Sequence, residues 1–127
     1  MSFRIELFVA DLDTSIRFYE QVLGFELERR ETDYASLRRG GAVLGLGSIA
    51  KLPAVASPPG FSQERLAGNR GSGVEIVLEV DDLDAALARV ERAGAPLAAP
   101  LQQRPWGLRD FRLADPDGYY LRVTTRG

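Results

Sequence analysis

From Phe3 to Val9 the chain alternates, with Ile5, Leu7 and Val9 on one side and Arg4, Glu6 and Phe8 on the other, which predicts a half-buried strand. Asp11 is placed to cap a helix in which Leu12, Ile16, Tyr19, Val22 and Leu23 recur at helical spacing, and Gly24 supplies its stop. Strand-like stretches follow near Phe25–Arg30, Tyr34–Arg38 and Ala42–Ser48, with Gly40-Gly41 as the turn between the last two. The same order then returns. Val74 to Val80 alternates again, and Asp82-Leu83-Asp84 opens a helix carrying Leu83, Ala86, Leu87, Val90 and Ala93 that Gly94 closes. Further strands are predicted near Pro96–Ala99, Leu108–Leu113 and Tyr119–Thr125, with Asp115-Pro116-Asp117-Gly118 as a tight turn before the last.

Setting Val9-Ala10-Asp11-Leu12-Asp13 over Val80-Asp81-Asp82-Leu83-Asp84 makes the internal repeat explicit. The expected architecture is therefore α+β, with two βαβββ modules in one domain spanning residues 1–127. Module 1 covers about 1–48 and module 2 about 74–127. Residues 49–73 hold Pro53, Pro58, Pro59, Gly60, Gly68, Gly71 and Gly73, and a stretch this long is either a linker or a lid over a site. Phe61 within it is either a lid residue or a local anchor.

Composition narrows the chemistry. The chain is 45% hydrophobic and 27% charged, the balance of an ordinary soluble domain large enough to bury its own core. A net charge of −2 argues against nucleic acid as a general partner, and no apolar run approaches the ~20 residues of a membrane span. The start, Met1-Ser2-Phe3-Arg4, lacks the features of a signal peptide, so a cytoplasmic protein is expected. There is no cysteine and no histidine. Thiolate, Cys-His and Ser-His-Asp chemistry are thereby excluded, and a metal site would have to use oxygen ligands alone.

The chain resembles the vicinal oxygen chelate superfamily, which includes glyoxalase-like lyases, extradiol dioxygenases and bleomycin-resistance proteins. The resemblance rests on Val9-Ala10-Asp11-Leu12 followed by Ser15, Phe18-Tyr19 and Leu23-Gly24-Phe25, and on Val80-Asp81-Asp82-Leu83. It rests also on Trp106-Gly107-Leu108-Arg109-Asp110-Phe111 and on Asp115-Pro116-Asp117-Gly118. It implies two half-cups forming an incompletely closed barrel around one cavity. It also implies a homodimer, with cavities built across the subunit interface.

Metal-using members carry His or Glu at inward positions on the first and fourth strand of each half. The matching positions here are Arg4, Gly45, Glu75 and Arg122, of which only Glu75 suits a cation. The expectation is no metal and no cofactor. Arg4 and Arg122 are placed to sandwich Glu75, either as a satisfied ion network or as a fork for a ligand carboxylate or phosphate. Bleomycin-resistance proteins have a similar Trp-Gly-x-Arg-x-Phe segment whose Trp stacks on a flat drug, which implies a stacking role for Trp106. Phe8, Tyr34, Phe111 and Tyr120 are expected to face the cavity, with Arg38 and Arg109 as polar anchors on that face.

The leading expectation is a metal-free binding protein that captures a flat aromatic small molecule and confers antibiotic resistance by sequestration. Two alternatives stand beside it. One is a glyoxalase-like lyase or isomerase using a carboxylate base, Glu75 or Glu79, with Arg4 or Arg122 stabilising an enolate-like intermediate. The other is an interaction module whose cavity is vestigial. Loss of the family's metal ligands makes a non-enzyme the favoured class.

Overall fold

A computed structural model of the chain describes residues 1–55, 60–68 and 70–126, so Pro58 and Pro59 lie outside the described residues. The elements run β1 (Arg4–Val9), α1 (Leu12–Arg17), a π-helical turn (Phe18–Val22), β2 (Glu26–Arg30), β3 (Tyr34–Arg39) and β4 (Ala42–Ser48). Then come β5 (Glu75–Val80), α2 (Leu83–Arg92), β6 (Ala99–Gln103), β7 (Arg109–Ala114) and β8 (Tyr120–Thr125). The strands form two four-stranded sheets, in the orders β1-β4-β3-β2 and β5-β8-β7-β6. In each sheet the pair at one edge, β1–β4 or β5–β8, is parallel and the remaining pairs are antiparallel, so the two halves share one topology. The sheets do not close into a barrel, in keeping with the incompletely closed cup that the family resemblance implies.

The repeated Asp before each helix has a local cause. Asp11 accepts from the Thr14 amide at 3.0 Å and Asp82 from the Ala85 amide at 2.9 Å, so each side chain satisfies a donor that the first helical turn leaves free. The first helix widens into its π-helical turn and stops at Gly24, whose φ of +75° favours glycine.

One strand is displaced from its expected place. The sequence suggested Pro96–Ala99, whereas β6 spans Ala99–Gln103. Pro96 has no N–H to give a ladder, and pairing with β7 begins at Ala99↔Arg112 after Ala98 N–H has bonded Arg112 C=O at 2.7 Å. Pro100 is tolerated because β6 is an edge strand whose register shifts between Ala99 and Gln102.

Each sheet buries one face beneath the helices. Leu7, Val9, Leu37, Leu44 and Leu46 from the first sheet and Phe111, Leu113, Leu121 and Val123 from the second belong to one core, which also takes in Tyr19, Leu83 and Val90. The turn Asp115–Gly118 ties the halves together. Asp115 Oδ2 accepts from Tyr19 Oη at 2.7 Å, while its Oδ1 accepts the Asp117 and Tyr119 amides, each at 2.9 Å. Asp117 accepts from the Ala10 amide at 2.8 Å, from Ser15 Oγ at 3.3 Å and from Arg70 at 2.6 Å. Tyr119 Oη donates to the Phe8 carbonyl at 2.8 Å. Burial pushes the Asp115 carboxyl up, and it pushes the Tyr19 hydroxyl well above its ordinary value with help from the Asp115 charge.

The described parts of the segment between the modules are anchored to their surroundings. Gln63 donates to the Ala50 and Leu52 carbonyls, Ser62 is buried, and Arg70 reaches Asp117 in the other half. Among the described residues, no helix is long and apolar enough to cross a membrane.

Candidate functional site

The chemistry lies on the helix-free faces of the two sheets, because strand alternation sends every second residue there. On the first sheet these residues are Arg4, Glu6 and Phe8 of β1, Tyr34, Ser36 and Arg38 of β3, and Gly45 and Gly47 of β4. Gly45 makes room for the polar cluster: a Cβ there would lie 1.4 Å from Glu6 Oε2 and 2.4 Å from Tyr34 Oη. The Glu6 carboxylate therefore occupies the space that a fourth-strand side chain would fill. Arg4 Nη2 donates to Glu6 Oε1 at 2.8 Å and to Tyr34 Oη at 2.9 Å, and Tyr34 Oη in turn donates to Glu6 at 2.9–3.0 Å. Partial burial, then the hydrogen bond and charge of Glu6, raise the Tyr34 hydroxyl above its ordinary value. This face is open, with the Arg4 and Glu6 side chains 49% and 41% exposed.

Beside that cluster Phe8 is half-buried, and Phe61 from the intermodule segment stacks on it with ring centroids 4.6 Å apart. The segment thus places an aromatic ring beside this face.

The second sheet presents Glu75, Val77 and Glu79 of β5, Asp110 and Arg112 of β7, and Tyr120, Arg122 and Thr124 of β8. Arg122 donates from Nε to Glu75 Oε1 at 2.5 Å, and Arg112 approaches Glu75 Oε2 at 3.9 Å. Asp110 is buried, with a side chain 1% exposed; it accepts from Arg104 Nε at 2.9 Å and has Arg112 Nε at 3.6 Å. Burial alone would push the Asp110 carboxyl up, but the Arg104 hydrogen bond and the Arg112 charge outweigh it and hold it below its ordinary range. One row therefore runs Arg104–Asp110–Arg112–Glu75–Arg122.

Several expected site residues meet on these faces and some do not. Arg4, Phe8, Tyr34, Arg38, Glu75, Tyr120 and Arg122 stand on them, with Arg38 paired to Glu28 at 3.3 Å. Arg4 does not help to sandwich Glu75. A carboxylate two residues along its own strand is nearer, so Arg4 pairs with Glu6, and Arg112 takes the expected place beside Glu75. Phe111 and Arg109 point the other way. Phe111 pairs with Val123 and lies fully buried in the core, and Arg109 reaches Asp84 of α2 at 3.5 Å. Trp106 sits at the tip of the β6–β7 hairpin, 57% exposed. Asp110, Arg112 and Arg104 were missed from the sequence, as was the role of Glu6. The signal for Asp110 and Arg112 was their parity with Thr124 and Arg122 across the hairpin.

The register confirms which positions are equivalent between the halves. Gly45 pairs with Glu6, two residues after Arg4, and Arg122 pairs with Val77, two residues after Glu75. At these four positions the residues present do not fit a divalent metal. Glu75 is the one carboxylate among them and is already bound by a guanidinium, while two of the other three are permanently cationic arginines. Among the described residues no group of three or more His, Cys, Asp or Glu side chains is arranged to hold a metal ion.

Two structurally equivalent βαβββ units with charged, helix-free faces define a duplicated-module protein. The chain belongs to the Glyoxalase/Bleomycin resistance protein/Dioxygenase superfamily, whose model matches residues 3–123. It is 32% identical over 114 residues to a lactoylglutathione lyase of Neisseria meningitidis serogroup A, covering 89% of this chain and 81% of that one. In three dimensions it is similar to TioX from Micromonospora sp. ML1, with a TM-score of 0.79, 26% identity and 98% of each chain covered. A lactoylglutathione lyase from Agrobacterium tumefaciens shares the fold, with a TM-score of 0.75 at 22% identity over 98% of this chain and 92% of that one.

Proposed function

We infer that this protein is a metal-free binder of a small, flat, partly aromatic molecule. The observation that carries the reading is that both carboxylates nearest the family's metal positions are already neutralised. Glu6, which fills the space over Gly45, is held by Arg4 and Tyr34, and Glu75 is held by Arg122. A cation entering there would lie beside guanidiniums that cannot lose their charge. Phe8 with Phe61 offers an aromatic surface on the same face as Arg4, and the exposed Trp106 offers a second for stacking.

Two measurements test this reading. Elemental analysis of the purified protein is expected to find no stoichiometric Ni, Zn or Fe; a tightly held equivalent of any of them would overturn it. Titration with a panel of flat aromatic compounds is expected to change the fluorescence of Trp106, the single tryptophan. If Trp106→Ala leaves affinity unchanged, the stacking role passes from Trp106 to the Phe8–Phe61 pair.

The identity to a lactoylglutathione lyase favours a second reading, a lyase with Glu75 as general base. Turnover of lactoylglutathione by the purified chain, abolished by Glu75→Gln, would establish it in place of the binder. Its absence leaves the binder.

A further inference from the structure

We propose that the second sheet carries a subsite for an anionic oxyacid group, in which Arg122 and Arg112 hold the charged head of a ligand whose apolar body lies along Val77 and Tyr120. The inference rests on the binding reading above and names the class of ligand for the same site.

Arg112 and Arg122 are direct partners across β7 and β8, so two like charges stand opposite each other on one face. Such a pair destabilises a sheet unless something negative is shared between them. Here the shared group is Glu75, bound by Arg122 at 2.5 Å and approached by Arg112 at 3.9 Å. The row as a whole has three guanidiniums, Arg104, Arg112 and Arg122, against two carboxylates, Asp110 and Glu75. Within the row one positive charge is left over; Glu79 of β5 stands on the same face but makes no ion pair with the row among the described residues. The surplus falls on the Arg122 side, because Asp110 already engages Arg104 and Arg112.

Glu75 also orients the surplus. By taking the Arg122 Nε, it fixes the guanidinium plane and leaves both terminal nitrogens without a partner among the described residues. Two parallel N–H donors on a fixed plane match the two oxygens of a carboxylate or of a phosphate. Arg112 is only one-fifth exposed, with its buried Nε turned to Asp110 at 3.6 Å and its Nη1 3.9 Å from Glu75, so it adds a fixed positive charge beside Arg122.

The neighbourhood suits an amphiphile. Val77 pairs directly with Arg122 and is exposed despite being apolar. Glu75 and Tyr120 are direct partners, and both line an open depression of about 520 Å³, shared with Gly71, Ser72 and Gly73, that adjoins the arginine pair without including it. The equivalent place on the first sheet has nothing of this kind: Gly45 stands where Arg122 does and Ser36 where Arg112 does.

The test is isothermal titration of the full chain with 1-naphthoate, 1-naphthyl phosphate and the neutral 1-naphthamide, at low and high salt. Naphthoate or naphthyl phosphate is expected to bind at least about tenfold tighter than naphthamide, with an affinity that falls as salt rises. The tighter of the two anions identifies the head group as carboxylate or phosphate. Arg122→Gln is expected to lose about tenfold to a hundredfold of the anion affinity and to change naphthamide binding far less. Arg122→Lys keeps the charge but not the fork and should recover only part of it. Thermal melts of both variants check that they are folded. Equal binding of anions and amide by the wild-type chain would overturn the anionic subsite while leaving the binding reading intact. If none of the three bound, while another uncharged aromatic did, the same separation would hold; no binding by any aromatic tested would overturn both.

Discussion

The two helix-free faces are built on one topology and behave as opposites. On the first sheet a single arginine, a glutamate and a tyrosine form a small exposed cluster over a glycine. On the second, three arginines and two carboxylates, one of them a buried aspartate, form a row. Tyr34 and Asp110 occupy equivalent places, as do Ser36 and Arg112, and Gly45 and Arg122. Duplication has preserved backbone register while releasing the side chains at each matched pair. Charge pairs on the first face are screened by water and contribute little to stability. Those on the second hold one another in a less polar setting, where removing one partner strands the rest.

The largest expected contrast comes from Asp110. Asp110→Ala leaves Arg104 and Arg112 without their buried partner and should cost about 3–5 kcal/mol in a urea unfolding experiment at pH 7. Because the folded Asp110 carboxyl titrates below its ordinary range, its contribution is present above the unfolded value and is lost as pH falls through the folded one. The stability gap between wild type and Asp110→Asn should therefore close in strong acid. A gap that widened there would contradict the arginine row.

At the junction of the halves, Tyr19→Phe removes the hydroxyl that donates to buried Asp115 and should cost about 1–3 kcal/mol by thermal or urea melting. Asp115 carries the opposite sign from Asp110. Its folded value is raised, so its ionisation costs stability as pH rises through the carboxylate range, and neutral Asp115→Asn should flatten that part of the pH profile.

Gly45→Ala tests the looser face. The new Cβ collides with the Glu6 carboxylate and the Tyr34 hydroxyl, both ends of side chains able to swing away, so the loss should be about 1 kcal/mol. In combination with Glu6→Ala most of that loss should disappear, a non-additivity that a double-mutant cycle measures directly. Smallest of all, Tyr34→Phe on the exposed face should change stability by less than about 1 kcal/mol, although its counterpart Asp110 gives the largest effect.

The duplicated fold was legible because each half has a clean alternating strand, an aspartate cap and a glycine stop, and these local rules agree with one another. The Arg4, Gly45, Glu75 and Arg122 alignment was legible for the same reason, since register follows the repeat. What failed was parity on β7. Arg109, Asp110 and Arg112 put charge on both faces of one strand, so alternation alone leaves the buried side ambiguous. The answer lay on the neighbouring strand, where core residues Leu121 and Val123 dictate that Leu113 and Phe111 lie inward with them. The Arg4 partner was misplaced because a carboxylate two residues along a strand competes better than one in another module. Glu6 was undervalued since nothing in a glycine announces that a side chain from the next strand will fill its space.

The turn that joins the halves has a consequence for how the chain is made. Its bonds link Ala10 with Asp117, Ser15 with Asp117, Tyr19 with Asp115 and Phe8 with Tyr119, across 107, 102, 96 and 111 residues. Closing loops of that length is slow compared with forming a hairpin. On the ribosome the first module emerges with the Tyr19 hydroxyl and the Ala10 amide still waiting for carboxylates that lie near the end of the described chain. Nascent molecules must pass through a half-assembled stage whose lifetime is set by translation, and the last tight turn to appear is the clasp that ends it.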